Sequence, residues 1–288
     1  MLVTRTSHLT TIGFSLLIAT CMVRSIRADQ TGFTTIDVPG NSGYTEAFGI
    51  NLNGDIVGGF GDPSNSILHG FLLSKGAFTT IDVPGAYVTE AHGIGPKGDI
   101  VGFFANVSGV HGFLLSKGSF TTIDVPGASF TEAFGIDSEG NIVGYYIQGG
   151  VHGFLLSKGV FTAIDVPGAI FTAAFGINLA GDIVGAFNAT VLSDGAGFHG
   201  FLLSKGSFTT VEVPGTSYTR AFGINPQDDV VGQDSDGRVH GFLLSKGVYT
   251  SIDVPGSSST EAFGTNPKGD IVGGYSNATG VHGFLLEK

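Results

Sequence analysis

The chain has 288 residues, 48 of them glycine and none tryptophan, and its formal net charge is −11. Such an acidic surface repels phosphate backbones and anionic lipid, so nucleic acid and membrane surfaces are excluded as partners. The single cysteine, Cys21, lies in the N-terminal leader, which excludes disulfides, thiol chemistry and cysteine metal sites from the exported chain.

The first 28 residues have the layout of a signal peptide. Arg5 gives a basic start, residues 9–23 form an uncharged apolar run, and residues 25–28 offer a cleavage site. The run is short for a membrane span, and an uncleaved anchor is the alternative. Removing the three leader arginines takes the net charge from −11 to −14. We therefore expect a secreted, periplasmic or cell-surface protein whose mature domain, 29–288, is not inserted in a membrane.

Six copies of one repeat of about 42 residues fill the rest of the chain. The landmark Val-Pro-Gly has its prolines at Pro39, Pro84, Pro126, Pro167, Pro214 and Pro255. The landmark His-Gly-Phe-Leu-Leu begins at His69, His111, His152, His199, His240 and His282. Each copy holds four short runs of β-branched or aromatic residues between turn residues, and none has a helical period. Four strands in this length are typical of one β-propeller blade.

The first full copy illustrates the expected strands. They are, from the innermost to the outermost, 47–50, 56–60, 69–73 and 78–83. A tight turn containing Gly54 joins the first two, with glycine supplying a positive φ. The Phe-Leu-Leu text puts apolar groups on both faces of the sheet, as a sheet between two neighbours requires.

The two ends of the chain indicate a closed ring. The last copy stops after its third strand, whereas the mature chain begins with an orphan fourth strand at 33–38. We predict that 33–38 pairs with 282–286, which gives an all-β, six-bladed β-propeller of four-stranded blades, closed by the N-terminal strand. An open stack of repeats is the alternative.

The repeated text resembles a known group. Ala-Phe-Gly-Ile-Asn, then Gly-Asp-Ile-Val-Gly, then His-Gly-Phe-Leu is similar to the HAF family of extracellular repeats, over residues 32–288. This chain has His-Gly-Phe where the family usually has His-Ala-Phe. The resemblance implies export and repetition, and it implies no established reaction.

Each repeated histidine is followed, thirteen residues later, by a carboxylate. With a two-residue turn at Lys75-Gly76, His69 lies opposite Asp82; a three-residue turn would shift this register by one. The predicted pairs are His69 with Asp82, His111 with Asp124, His152 with Asp165, His199 with Glu212, His240 with Asp253, and His282 with Asp37 if the ring closes. They are interpreted as structural cross-strand pairs, the alternative being catalytic pairs or a metal ring.

Departures from symmetry indicate a recognition face at the loops that lead into the innermost strands. Aromatic and acidic residues alternate there, interrupted by one arginine. The candidate binding residues are Tyr44, Glu46, Glu90, His92, Phe130, Glu132, Phe171, Tyr218, Arg220 and Glu261. The alternative is that the aromatic residues only fill the gaps between blades.

These observations favour a monomeric, non-enzymatic binding scaffold for a surface protein or a polysaccharide. The alternative is an extracellular lyase or hydrolase with a site over the central channel, where His92 and Arg220 replace other residues of the repeat. A surface filler without a small ligand is a third reading. We expect no cofactor, although Asp234-Ser-Asp-Gly echoes half of a calcium loop.

Overall fold

A computed structural model describes residues 32–40, 43–61, 67–188 and 197–288. The predicted signal peptide lies outside these ranges, as do residues 62–66 and 189–196 of two long loops. The regular secondary structure of the described ranges is entirely β-strand. Nothing in them forms a helix of the length and hydropathy needed to cross a membrane.

The strands recur in the order of the repeats. The first strands are β2 (Thr45–Ile50), β6 (Val88–Ile94), β10 (Phe130–Ile136), β14 (Phe171–Ile177), β18 (Tyr218–Ile224) and β22 (Ser259–Thr265). The second strands are β3 (Ile56–Gly61), β7 (Ile100–Asn106), β11 (Ile142–Ile147), β15 (Ile183–Asn188), β19 (Val230–Ser235) and β23 (Ile271–Asn277). The third strands are β4 (Leu68–Ser74), β8 (Gly109–Ser116), β12 (Val151–Ser157), β16 (His199–Ser204), β20 (Val239–Ser245) and β24 (Gly280–Leu286). The fourth strands are β5 (Ala77–Ile81), β9 (Ser119–Ile123), β13 (Val160–Ile164), β17 (Ser207–Val211), β21 (Val248–Ile252) and β1 (Phe33–Ile36).

Consecutive strands of a repeat pair antiparallel. Between the third and fourth strands, Ser74 pairs with Ala77 across a two-residue turn. Lys75 (φ 51°) and Gly76 (φ 79°) both have positive φ, as a type I′ turn requires. The two-residue alternative of the sequence analysis is therefore the one that forms, and the fourth strand runs 77–81 rather than 78–83.

The N-terminal strand β1 pairs with β24 rather than with its neighbour in sequence. The register runs from Phe33 opposite Leu286 to Ile36 opposite Gly283. Strand β22 also contacts β2 across the two ends of the chain. Together with the contacts between first strands of successive repeats, this gives the chain a propeller-like architecture.

The hydrophobic core lies between repeats rather than within them. Val57 of the first repeat packs with Ala91 and Phe113 of the second. The same layer joins the two ends of the chain, where Ile36 and Val272 pack with Phe71. Each third strand contributes one phenylalanine that is at most 1% exposed, namely Phe71, Phe113, Phe154, Phe201, Phe242 and Phe284. Because the sheet is covered on both faces, each third strand carries the consecutive apolar residues Phe-Leu-Leu.

The antiparallel order gives the molecule two ends. We call the end formed by the connections into the first strands, together with those from the second to the third strands, the loop face. The opposite end, formed by the first-to-second and third-to-fourth turns, is the turn face. The described turns are short: Gly54 (φ 82°) and its counterpart Asp228 (φ 62°) occupy the same left-handed position.

Candidate functional site

Six aromatic rings meet where the first strands converge. They are Phe48, His92, Phe134, Phe175, Phe222 and Phe263, and we call them the aromatic plug. Successive ring centroids, from Phe48 through each in turn and back from Phe263 to Phe48, lie 4.8, 4.3, 5.0, 5.1, 5.3 and 5.3 Å apart. Such spacing is that of packed aromatic pairs, so the rings fill the centre of the molecule.

A β-bulge places each ring of the plug. In β2 the register shifts between Ala47 and Gly49, so that Phe48 is the extra residue, and the other five first strands shift at the same point. A bulge re-aims its side chain out of the regular alternation. The following glycine is needed for close packing, because a Cβ on Gly93 would lie 2.3 Å from the carbonyl oxygen of Phe134.

The residue two positions before each plug residue lies on its loop-face side. This is the position at which the sequence predicted acidic side chains. It holds Glu46, Glu90, Glu132, Ala173, Arg220 and Glu261. We call the space lined by these six side chains the chamber. Glu90 and Glu132 are each only 8% exposed, so the acids predicted for a recognition surface are largely buried.

Glu46 is partly buried in the chamber, next to Tyr44. The Tyr44 hydroxyl donates to Glu46 Oε2 at 2.9 Å. Burial raises the pKa of Glu46 to about 7, against the lowering effect of this hydrogen bond, and the charges of Glu261 and Glu90 raise it further. Burial likewise raises the pKa of the Tyr44 hydroxyl, which remains a hydrogen-bond donor.

Glu90 and Glu132 each have one polar neighbour. His92 Nε2 lies 3.2 Å from Glu90 Oε2. Tyr145 donates to Glu132, and burial raises the pKa of that carboxyl while His92 lowers it. His92 thus belongs both to the plug and, through its imidazole edge, to the chamber.

The arginine side of the chamber is different. The Arg220 guanidinium lies over the rings of Phe198 and Tyr218, 4.1 and 5.0 Å from their centroids. Burial raises the pKa of Glu261, and the charge of Arg220 lowers it. Gln233, opposite Arg220 in the β18–β19 pair, donates through Nε2 to the Tyr218 hydroxyl at 2.6 Å.

The predicted aromatic residues of the loops lie between repeats at the chamber entrance. Phe130 stacks on Tyr145 with centroids 5.6 Å apart, and Phe171 contacts Tyr145 and Phe198. Phe130, Phe171 and Tyr218 belong to successive repeats, and Tyr44 is separated from them by Val88 and Ser259 at the equivalent positions. The structure brings together Tyr44 with Glu46, Glu90 with His92, and Tyr218 with Arg220; Phe130 and Phe171 lie beside them at the rim.

The six histidine–carboxylate pairs lie around the periphery of the loop face. His69, His111, His152, His240 and His282 place Nδ1 2.8–2.9 Å from Asp82, Asp124, Asp165, Asp253 and Asp37, and His199 contacts Glu212. The carboxylates are 36–54% exposed. Each pair links the third strand to the end of the fourth, and the His282–Asp37 pair does so between the two ends of the chain.

The two aspartates of the calcium-like sequence lie at the end of β19: Asp234 belongs to the strand, and Asp236 follows directly after it. Burial raises the pKa of Asp234 to about 6, and Asp236 Oδ1 lies 3.4 Å from His240 Nε2. Among the described residues, no group of three or more His, Cys, Asp or Glu side chains is arranged to hold a metal ion.

The turn face has a shallow central depression of about 260 Å³. Its wall includes the residues that follow the plug glycines and residues of the first-to-second turns; the former are Ile50, Ile94, Ile136, Ile177, Ile224 and Thr265. The plug therefore separates an apolar depression on one face from a polar chamber on the other.

Charge is distributed unequally between the two faces. Within the described ranges the loop face carries twelve carboxylates and two arginines, whereas the turn face carries nine carboxylates and all eight lysines. The loop-face carboxylates are Asp37, Glu46, Asp82, Glu90, Asp124, Glu132, Asp165, Glu212, Asp234, Asp236, Asp253 and Glu261. The lysines are Lys75, Lys97, Lys117, Lys158, Lys205, Lys246, Lys268 and Lys288. The loop face is therefore strongly negative and the turn face nearly balanced.

Of the plug only His92 was a predicted site residue, and Tyr145 and Gln233 were not predicted as parts of a site. A signal for the last two was present, because the residue after the recurrent Ile-Val-Gly (Val-Val-Gly in the fifth repeat) varies between repeats. This position holds Gly59, Phe103, Tyr145, Ala186, Gln233 and Gly274, each directly opposite a chamber residue. Glycine at two of these positions leaves room beside Glu46 and Glu90.

Comparisons with known proteins bear on the fold. No family model matches the chain, and no curated protein sequence matches it. TolB from Acinetobacter baumannii superimposes with a TM-score of 0.56 at 11% identity, over 81% of this chain and 64% of TolB. A proposed gluconolactonase superimposes with a TM-score of 0.52 at 13% identity, over 92% of this chain and 94% of that one. The β-propeller domain of the trilobed protease from Pyrococcus furiosus gives 0.47 at 10% identity, over 85% and 94%. At such identities the likeness concerns the fold alone.

Proposed function

We propose that the chain is a secreted, monomeric six-bladed β-propeller, closed by β1, which acts as a non-enzymatic binding scaffold of the HAF type. The pairing of β1 with β24 supports closure, as do the plug contacts that return from Phe263 to Phe48. Export rests on the signal-peptide layout of residues 1–28.

The partner in this proposal is a basic protein segment bound on the loop face. The observation that carries it is the charge difference between the two faces. A face with twelve carboxylates and two arginines attracts a lysine-rich segment and repels an anionic polysaccharide. Because histidine pairs hold the peripheral carboxylates in place, the negative charge is fixed around the rim.

Binding of three probes to the immobilised mature protein tests this proposal. The probes are a lysine-rich peptide, a glutamate-rich peptide of the same length, and dextran. We expect binding of the lysine-rich peptide alone, weakening as salt is added. Replacing three rim carboxylates, Asp82→Asn with Asp124→Asn and Asp165→Asn, should weaken it by about tenfold or more.

The matched control removes the same charge from the turn face. It combines Asp99→Asn, Asp182→Asn and Asp270→Asn, a change that the third repeat already carries as Asn141. The control should bind like the unmodified protein. Equal weakening by both triple variants, or equal binding of dextran or of the glutamate-rich peptide, would contradict the proposal.

One observation favours the second candidate function, a hydrolase or lyase with its site in the chamber. The pKa of Glu46, about 7, is close to that of an effective general acid or base at neutral pH. If the protein hydrolyses lactone, ester or glycoside substrates and Glu46→Gln abolishes this activity, the enzyme function is favoured over the binding scaffold.

A further inference from the structure

The chamber contains more buried negative charge than the chain neutralises. Four glutamates approach one another there, since the carboxyl of Glu46 is under the influence of Glu261 and Glu90, and that of Glu132 under the influence of Glu90. The cationic groups of the chain lie to one side: Arg220 is engaged with the rings of Phe198 and Tyr218. The charge of Arg220 also lowers the pKa of Glu261, and His92 Nε2 lies 3.2 Å from Glu90 Oε2, so these two groups face four glutamates in the described part of the chain.

Two glycines lie beside the sector of Glu261, Glu46 and Glu90. Gly59 and Gly274 flank it on the second strands, where the other repeats carry phenylalanine, tyrosine, alanine or glutamine. A Cβ on Gly274 would lie 2.8 Å from Glu46 Oε1, and one on Gly59 would lie 3.3 Å from Glu90 Cγ. The glycines therefore let both glutamate side chains settle against the neighbouring strand.

Three side chains around the chamber have buried polar atoms without hydrogen-bond partners among the described residues: Gln233, His92 and Arg220, whose Nε is unpaired. Gln233 is 6% exposed, and its Oε1 is unpaired while Nε2 donates to Tyr218. Gln233 projects from the same face of the sheet as Arg220. At the equivalent position, Gly59 lies beside Glu90 of the next repeat and Gly274 lies beside Glu46 of the next repeat. The His92 side chain is 9% exposed, and its Nδ1 is unpaired. Leaving a buried polar atom unpaired is costly, so these atoms point to a missing hydrogen-bonding group.

The chemistry of that group follows from the atoms around it. Three carboxylates and a free amide oxygen are hydrogen-bond acceptors. Because they come from separate strands, they do not form the planar, bidentate arrangement that suits a guanidinium group. The floor consists of the Phe48 and Phe263 rings, 5.3 Å apart, whose faces attract a cation. A compact donor with positive charge and several N–H groups suits such a site.

We propose that the chamber binds one primary ammonium group, a lysine side chain of the basic partner, with Glu46, Glu90 and Glu261 as its carboxylate acceptors. This inference rests on the proposed function and gives the loop face its central anchor. Ammonium binding favours the ionised carboxylate, so at neutral pH it releases a proton from Glu46. The affinity should fall by about tenfold between pH 8 and pH 6, as Glu46 becomes protonated.

Calorimetric titration of the mature protein with a small lysine analogue tests ammonium binding in the chamber separately from peptide binding on the loop face. The probe is Nα-acetyl-lysine methylamide, and its matched control is Nα-acetyl-norleucine methylamide, which lacks the amine. We expect binding of the lysine compound alone, with proton release that appears as different heats in phosphate and HEPES buffers. Glu46→Gln should weaken binding by about tenfold or more, whereas the exposed-site control Glu287→Gln should not.

Several outcomes would overturn the chamber proposal. Equal binding of the norleucine compound, an unchanged affinity in Glu46→Gln that circular dichroism shows to be folded, or displacement of the lysine compound by calcium would each do so. If the lysine-rich peptide still binds Glu46→Gln normally and remains sensitive to the rim triple variant, the loop-face function stands and only the chamber anchor fails. If the small lysine compound binds but the rim variant leaves peptide binding unchanged, the anchor stands and the rim fails.

Discussion

The proposed closure of the chain by its N-terminal strand gives the sharpest prediction, because the repeats supply an internal control. Ile36 in β1 and Ile123 in β9 occupy the same repeat position and are 4% and 5% exposed. Ile36 packs with Ala47, Phe71 and Val272, and Ile123 occupies the equivalent layer of a repeat that is continuous in sequence. Replacing a buried isoleucine by alanine costs about 2–5 kcal/mol.

We expect Ile36→Ala and Ile123→Ala to reduce the free energy of unfolding by similar amounts, each about 2 kcal/mol or more. Urea unfolding followed by circular dichroism and by tyrosine fluorescence measures both, with agreement of the two signals as the check on two-state behaviour. If β1 were a loosely attached tail, Ile36→Ala would cost less than about 0.5 kcal/mol, as at a surface position. That result, beside a full cost for Ile123→Ala, would refute the closed ring.

A second readout concerns the ion pair at the same junction. The His282–Asp37 contact, 2.9 Å long, spans the two ends of the chain, whereas the His111–Asp124 contact of the same length lies within one repeat. Double-mutant cycles on both pairs should give equal coupling energies of about 0.2–1 kcal/mol, since all four groups are partly exposed. Coupling within the second repeat alone would contradict closure.

Two further predictions concern the chamber and the second strands. The folded-state pKa of Glu46, about 7, lies above its ordinary value of 4.5, so its contribution to stability is complete below pH 4.5 and is lost as pH rises through 7. Between pH 5 and pH 8 this loss amounts to about 2.5 kcal/mol in urea unfolding, and Glu46→Gln should remove it whereas Glu287→Gln should not. Gly144→Ala should destabilise the fold by about 2 kcal/mol or more, because its Cβ would lie 2.0 Å from the Glu132 carbonyl oxygen, whereas Gly95→Ala, with its nearest contact at 3.5 Å, should cost less than about 0.5 kcal/mol by thermal unfolding.

The strands and their turns could be predicted from the amino-acid sequence because they depend on neighbouring residues. Lys75-Gly76 has the residue type that a two-residue hairpin needs, and this turn fixes the register that places His69 beside Asp82. Counting missing strands at the two ends was enough to predict that the segment beginning at Phe33 would pair with the last repeat. These inferences require only the alternation of side chains along a strand and the geometry of short turns.

The arrangement at the centre was decided by tertiary structure. A bulge at Phe48 cannot be predicted from Ala-Phe-Gly-Ile alone. It belongs to the packing of the first strands against one another, in which the glycines allow the carbonyl oxygens of neighbouring strands to approach. Glu46 has the composition of a surface residue, yet the neighbouring repeats bury it and raise its pKa. The sequence by itself determined the strands, turns and repeat order, since these depend on contacts within one repeat. Burial, the plug and the unpaired charge depend on contacts between repeats far apart in the chain, which only the assembled fold provides.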